Sequence, residues 1–263
     1  MDPMTKHAAT PVQDIASFYD DLASDYDSMT SYEKRFVQER PFFRVLVERY
    51  GIKSALDAGS GSGFHSMLLA QLGVRVTAVD VSAAMLQRAE IHAKELGLKV
   101  KTVKARFQEL DKVLRRKFDG IFCLGNTLVH ILSTKELAKT LRNFAALLNT
   151  GGVLFLQILN YDRILTQRDR IQSSKESGDK TFVRFYDYDE KGILFNILTL
   201  QRTTGSVKQK LNTVRLRPLL RSELLSRLQD AGFFEIQFFG SISMKPFERK
   251  QSRDLVILAR KCA

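Results

Sequence analysis

Residues 54–65, Ser-Ala-Leu-Asp-Ala-Gly-Ser-Gly-Ser-Gly-Phe-His, restrict the possible folds more than any other part of this 263-residue chain. A short apolar run ends at Asp57, three glycines alternate with serines, and an apolar helical pattern begins at Phe64. A strand that empties into a glycine-rich turn and then a helix is the opening of a βαβ unit. Glycine is needed there because the backbone turns tightly and a ligand approaches where a Cβ would collide.

The alternation continues. Strands are expected at 54–57, 74–79, 100–105, 118–124 and 153–159, with helices at 64–72, 83–96 and 135–148 between them. Strands separated by helices of about ten to fifteen residues imply a parallel sheet with right-handed crossovers. Upstream, residues 14–30 form one amphipathic helix that breaks near 27–31, and 33–50 form a second that Gly51 stops. After Asn160 the rhythm changes. Residues 161–180 are polar, and two or three strand-like runs at 181–188, 193–202 and 207–216 suggest antiparallel hairpins. A helix at 222–231 and strands at 235–239 and 254–259 then complete the sheet. The expected class is α/β, a Rossmann-like seven-stranded, mostly parallel sheet with an N-terminal helical cap and an inserted antiparallel β lid. The domain organisation follows: tail and cap over 1–50, core over 51–160 and 217–263, lid over 161–216.

Composition excludes some functions. At 44% hydrophobic and 27% charged the chain is globular, and no run approaches about 18 apolar residues, so a spanning helix is not expected. Residues 1–15 lack a signal-like apolar core and read as a loose tail. Cys123 in an apolar run and Cys262 near the end form neither a disulfide framework nor a metal site, which suits the cytoplasm. The net charge of +12 divides into +4 over residues 1–160 and +8 over 161–263. Such a surface attracts nucleic acid, an anionic membrane or an acidic small substrate, of which the membrane is not expected. No basic run is interleaved with stacking aromatics, so nucleic acid stays open without being favoured.

Two carboxylates sharpen the glycine loop. Asp57 stands two residues before Gly59, where a negative charge suits an ammonium group and opposes a pyrophosphate. Asp80 ends the next strand, 17 residues after Gly63, where a carboxylate accepts from both hydroxyls of a ribose. Read alone, Asp80 has a second reading, as a helix N-terminal charge. Val81 and Met85 follow, placed to pack an adenine face.

These residues, from about Ile15 to Lys261, resemble the class I S-adenosylmethionine-dependent methyltransferases. The resemblance implies S-adenosyl-L-methionine as cofactor and S-adenosyl-L-homocysteine as product. It implies that Gly59, Gly61 and Gly63 cradle the cofactor, that Asp57 faces its amino-acid end directly or through water, and that Asp80 binds its ribose. Within the class, residues 118–130 (FDGIFCLGNTLVH), Asn160-Tyr161-Asp162 and Phe18-Tyr19-Asp20…Tyr26-Asp27 are similar to the glycine and sarcosine N-methyltransferase group. Thr127 stands where that group has serine. The likeness places Leu124, Gly125, Asn126 and Tyr26 at the cofactor, and His130 either there or in a structural role.

Two positions depart from the pattern. The arginine that grips the substrate carboxylate in the glycine enzymes is replaced by Leu159, and an apolar side chain cannot replace a bidentate guanidinium. Arg163 and Arg184 are the nearest substitutes. At Ala105-Arg106-Phe107, Arg106 stands where relatives place an aspartate against the adenine amine. A backbone contact from Arg106 and Phe107, or an outward Arg106, is expected instead. Cys123 is a core thiol, Phe185, Tyr186 and Tyr188 are candidates to face the pocket, no metal is expected, and no residue announces itself as a general base. The expected activity is methyl transfer to nitrogen or oxygen of a small acceptor, neutral or anionic. An RNA or protein methyltransferase and a non-catalytic cofactor-binding regulator are the alternatives.

Overall fold

The computed structural model describes residues 11–30 and 32–261, with residues 32–34 described by backbone alone. The first ten residues of the expected tail, and Cys262, lie outside the described residues.

Three helices, α1 (Ile15–Leu22), α2 (Tyr26–Thr30) and α3 (Tyr32–Arg49), precede the sheet. The core follows with β1 (Ser54–Ala58), α4 (Phe64–Gln71), β2 (Arg75–Asp80), α5 (Ala83–Glu95), β3 (Val100–Lys104), α6 (Leu110–Val113), β4 (Phe118–Cys123), α7 (Thr134–Leu147) and β5 (Leu148–Leu159). After α8 (Tyr161–Gln167) come β6 (Ile171–Ser177), β7 (Lys180–Asp189), β8 (Gly192–Thr203) and β9 (Ser206–Leu216). The chain returns to the core with α9 (Arg221–Asp230), β10 (Phe233–Phe239) and β11 (Asp254–Lys261).

The main sheet has seven strands in the order β10-β11-β5-β4-β1-β2-β3. Only β11 runs against its neighbours, pairing antiparallel with both β5 and β10. All five residues of β1 are buried, as a central strand covered on both faces requires. Alternate residues of β4 and β5 feed two cores: Ile121, Leu154 and Leu156 on one face, Phe122 and Phe155 on the other. Because β1 lies between β2 and β4, the strand order reverses there, and a crevice opens at the carboxyl ends of these strands.

The second sheet, β6-β7-β8-β9, is antiparallel throughout. Its inward residues Phe182, Tyr186, Ile193, Ile197 and Val214 join the main core. The expected two or three strands are four. Strand β6 is polar and largely exposed, so no apolar alternation marks it, and only its ladder to β7 reveals it. The polar start of the insertion is helix α8, capped by Asn160, whose side chain accepts from the Arg163 N–H.

The cap also differs from its expectation. Helix α1 stops at Leu22, and a turn through Ala23–Asp25 leads into α2. The turn lets neighbouring acids of one short segment face opposite ways. Asp25 meets Lys180 of β7 at 2.7 Å, while Asp27 faces the core. Asp20 likewise accepts from Ser82 Oγ at the start of α5, and Asp21 pairs with Lys210 of β9 at 3.3 Å. The cap therefore fastens the inserted sheet to the core.

Candidate active site

A crevice crosses the carboxyl ends of four adjacent strands. Ala105–Gln108 follow β3, Asp80 and Val81 end β2, Gly59–Ser62 follow β1, and Leu124, Gly125 and Thr127 follow β4. Tyr19 and Tyr26 of the cap roof it, while Arg35, His65, His130 and Ile131 form walls. It encloses about 1060 Å³ of empty space open to solvent, enough for a nucleoside-sized ligand and a small partner.

The glycine loop is shaped by its neighbours. Gly59, Gly61 and Gly63 all have positive φ, at 78°, 54° and 86°. A Cβ on Gly59 would overlap Thr127 Cγ2, and one on Gly63 would lie 2.8 Å from Ala89 Cβ. A Cβ on Gly61 would point at the Tyr26 ring, 3.7 Å away, narrowing the space between loop and roof. Gly63 itself initiates α4 and does not line the crevice.

Asp80 is 8% exposed and organises the loop. Its Oδ2 accepts from the Gly61 N–H at 2.8 Å, and Oδ1 accepts from the Ser82 N–H at 2.9 Å. Burial raises its pKa, against those hydrogen bonds that favour the anion. Asp57 behaves differently. It is 1% exposed, accepts from Ser66 Oγ at 2.6 Å and does not line the crevice. Expected to face a ligand directly or through water, Asp57 ties the end of β1 to α4 from beneath the loop. Burial raises its pKa too. Met85 is fully buried in α5 and Asn126 stands behind the crevice, so neither lines it.

Asn126 and the Asn-Tyr-Asp segment prove to be one architectural unit. Asn126 has φ 66°; its Oδ1 accepts from the Leu159 N–H at 3.0 Å and its Nδ2 donates to the Tyr161 hydroxyl at 3.0 Å. Asn160 donates to the Arg249 and Ser252 carbonyls at 2.9 Å, and Asp162 pairs with Arg249 at 2.8 Å. Leu159 packs against the main core. Of the two expected substitute arginines, Arg163 donates to Gln167 Oε1 at 2.7 Å and to the Gln251 carbonyl at 3.4 Å, away from the crevice.

His130 lines the crevice, and its Nε2 lies 2.9 Å from the Tyr19 hydroxyl. Its Nδ1 is buried without a partner among the described residues. Burial pulls His130 down to about 4, leaving it neutral at pH 7, and pushes the Tyr19 phenol up. The dyad is a neutral hydrogen-bonding pair at the edge of the roof. Cys123 is fully buried and its pKa is raised by burial, so the thiol is inert.

Sequence reasoning missed Arg35, which lines the crevice, stacks its guanidinium 4.2 Å from the centre of the Phe64 ring and pairs with Glu39 at 2.8 Å. No motif surrounds it; only the folding of α3 over the glycine loop brings it in. The hydroxyl of Ser60, in the middle of the loop, was missed as well. It is buried without a partner among the described residues. Among those residues no group of three or more His, Cys, Asp or Glu is placed to hold a metal ion, and no helix is long and apolar enough to cross a membrane.

Comparison with known proteins identifies the family and the fold. Residues 55–152 match the family described as a methyltransferase domain. A glycine/sarcosine N-methyltransferase of Aphanothece halophytica is 26% identical over 235 residues, covering 85% of this chain and 82% of that relative. The glycine/sarcosine N-methyltransferase of Parasynechococcus marenigrum is 31% identical over 190 residues, covering 67% of each. Among solved structures, the CcbJ methyltransferase of Streptomyces caelestis superposes with a TM-score of 0.80 over 95% of this chain and all of that one, at 23% identity.

Proposed function

This chain belongs to the class I S-adenosylmethionine-dependent methyltransferases, near the glycine/sarcosine N-methyltransferase group, and on that premise we propose how its crevice divides the work. The observation that carries the reading is the line of groups along the strand ends. Ala105–Gln108 and Val81 offer an adenine slot, Asp80 a ribose acceptor, the glycine loop a close backbone approach, and Arg35 a cation at the opposite end. The residues fit S-adenosyl-L-methionine: Ser60 Oγ is an orphaned polar atom in the cradle, and Gly61 leaves open the space beneath Tyr26. Arg35 would hold the cofactor carboxylate, and Asp57 would act through the loop that it anchors.

The cofactor supplies an activated methyl on a sulfonium, so the protein's task is alignment of an acceptor at about 3 Å and exclusion of water. Tyr19 and Tyr26 exclude water from above. The Tyr19–His130 dyad, neutral at pH 7, presents polar atoms to an uncharged amine or hydroxyl without repelling it. We take the acceptor to be a small molecule, neutral or anionic, methylated on nitrogen or oxygen, in a reducing compartment. The cap over residues 1–50 and the insertion over 161–216 act as specificity elements on a core formed by 51–160 and 217–263.

The RNA and protein alternatives rested on the basic C-terminal part. Several of those cations are held by acids of the fold: Lys180 by Asp25, Arg202 by Glu176, Arg215 by Asp189 and Arg217 by Glu223. Calorimetry with S-adenosyl-L-homocysteine and with NAD tests the core reading. Binding of the former alone is expected; tight NAD binding without response to S-adenosyl-L-homocysteine would overturn it. Turnover on an acceptor panel separates enzyme from regulator.

A further inference from the structure

We infer that Arg184 is a specificity residue that holds an anionic group of the acceptor, which makes the substrate a small amine carrying a carboxylate or phosphate several bonds from its nitrogen. This rests on the methyl-transfer reading above. Strand β7 alternates its side chains, and Lys180, Phe182, Arg184 and Tyr186 share the face turned toward the cap and core. Phe182 and Tyr186, on either side of Arg184, are 2% and 3% exposed. Arg184 thus projects from an apolar surface beside the roof of the crevice. Its charge is felt at the hydroxyls of Tyr19, Tyr26 and Tyr186.

What sets Arg184 apart is its partner. Neighbouring cations of the inserted sheet face acids: Lys180 has Asp25, Arg170 has Asp187, and Arg215 has Asp189. Among the described residues Arg184 donates only one long hydrogen bond, Nη2 to the Met29 carbonyl at 3.3 Å, and no carboxylate pairs with it. Lys175 donates to the adjacent Ser28 carbonyl, and the two positive charges repel. A carbonyl does not neutralise the Arg184 guanidinium. A half-buried guanidinium with most of its donors unspent suits a bidentate anion.

The position also explains the tolerance of Leu159. The carboxylate of glycine is one carbon from its nitrogen and must be gripped at the strand end, where Leu159 offers nothing. Arg184 is close enough for its charge to act on the Tyr26 hydroxyl but does not line the crevice itself, so only an anion on a longer arm reaches it. Arg163, already committed elsewhere, cannot share this task.

The test titrates acetate and inorganic phosphate into enzyme saturated with S-adenosyl-L-homocysteine, for the wild type, Arg184→Lys and Arg184→Gln. Saturable uptake of at least one anion is expected, weakened about tenfold by Lys and abolished by Gln, with the fold checked by circular dichroism. In turnover, 4-aminobutanoate and 2-aminoethyl phosphate should exceed butylamine in kcat/KM by at least tenfold, the better of the two identifying the anion. Arg184→Gln should collapse that ratio. Anion uptake that is absent, or that survives Arg184→Gln, overturns the inference, as does a wild-type preference for butylamine. Failure to bind S-adenosyl-L-homocysteine at all would instead defeat the methyl-transfer reading.

Discussion

The Asp80 carboxylate and the Gly61 N–H are joined at 2.8 Å, so the acid proposed to hold a ribose also fixes the loop on which the ligand rests. Asp80 is 8% exposed and satisfies two backbone donors, so a substitution there does not spare the fold. Asp80→Ala is expected to weaken S-adenosyl-L-homocysteine binding at least tenfold, because each lost charge-assisted hydrogen bond contributes about 1.5–3 kcal/mol. It should also lower stability, with two buried N–H groups orphaned at about 1–3 kcal/mol each. Calorimetry and thermal melts read the two effects separately. An unchanged dissociation constant would place the ribose elsewhere.

The cap is held by a titratable latch. Asp27 accepts from Ser62 Oγ at 2.7 Å and Arg88 Nη2 at 2.8 Å, and pairs with His92 Nε2 at 3.1 Å. Although desolvation works in the other direction, hydrogen bonds from His92, Arg88 and Ser62 hold the Asp27 carboxyl down at about 2, and the bond to Asp27 raises His92 above 6.5. The raised His92 contributes stability that is full below pH 6.5 and is lost as pH rises through its folded value. The depressed Asp27 contributes stability present above pH 3.8 and lost as pH falls toward 2. The stability difference between wild type and Asp27→Asn is therefore expected to be greatest from about pH 4 to 6.5 and to shrink above it. In a partly exposed cluster the His92 share is about 0.5–1 kcal/mol. Urea titrations across this range check it; a difference that does not vary with pH would show that His92 takes no part.

Gly59→Ala is expected to destabilise the chain by about 1–3 kcal/mol, from φ 78° and from the overlap of its Cβ with Thr127. Thr127→Ser removes the offending methyl and should recover part of that loss, the backbone strain remaining. Denaturant midpoints for the two single variants and the double variant decide this. Additive effects would mean that the two residues do not meet.

Glycine and sarcosine are expected to be poor acceptors even though curated relatives carry them in their names. With Leu159 at the strand end, a desolvated carboxylate close to the methyl has no partner there, which costs several kcal/mol. Turnover efficiency should fall about a thousandfold or more below that of a well-held acceptor. Steady-state assays decide it, and efficient glycine methylation would show that another cation reaches the short carboxylate.

The βαβ alternation, the glycine loop, Asp80 and the seven-stranded sheet were determined by local sequence. Period, turn chemistry and the strand-to-helix junction are short-range properties, and apolar patterning carries them without reference to distant residues. What lay beyond it depends on contacts between remote segments. Strand β6 exists because β7 offers it a ladder, with little apolar face of its own to announce it. Asp57 and Asp80 read alike in sequence, yet Ser66 draws one beneath the loop while Gly61 holds the other at the crevice. Asn126, Tyr161 and Leu159 look like parts of a binding motif until their mutual hydrogen bonds show them bracing one another. Arg35 carried no signal that set it apart from the other basic residues, and Arg184 could not be separated from Arg163, because the role of a guanidinium is decided by which acids surround it. Only the packing of α3 and of the inserted sheet against the cap settles that.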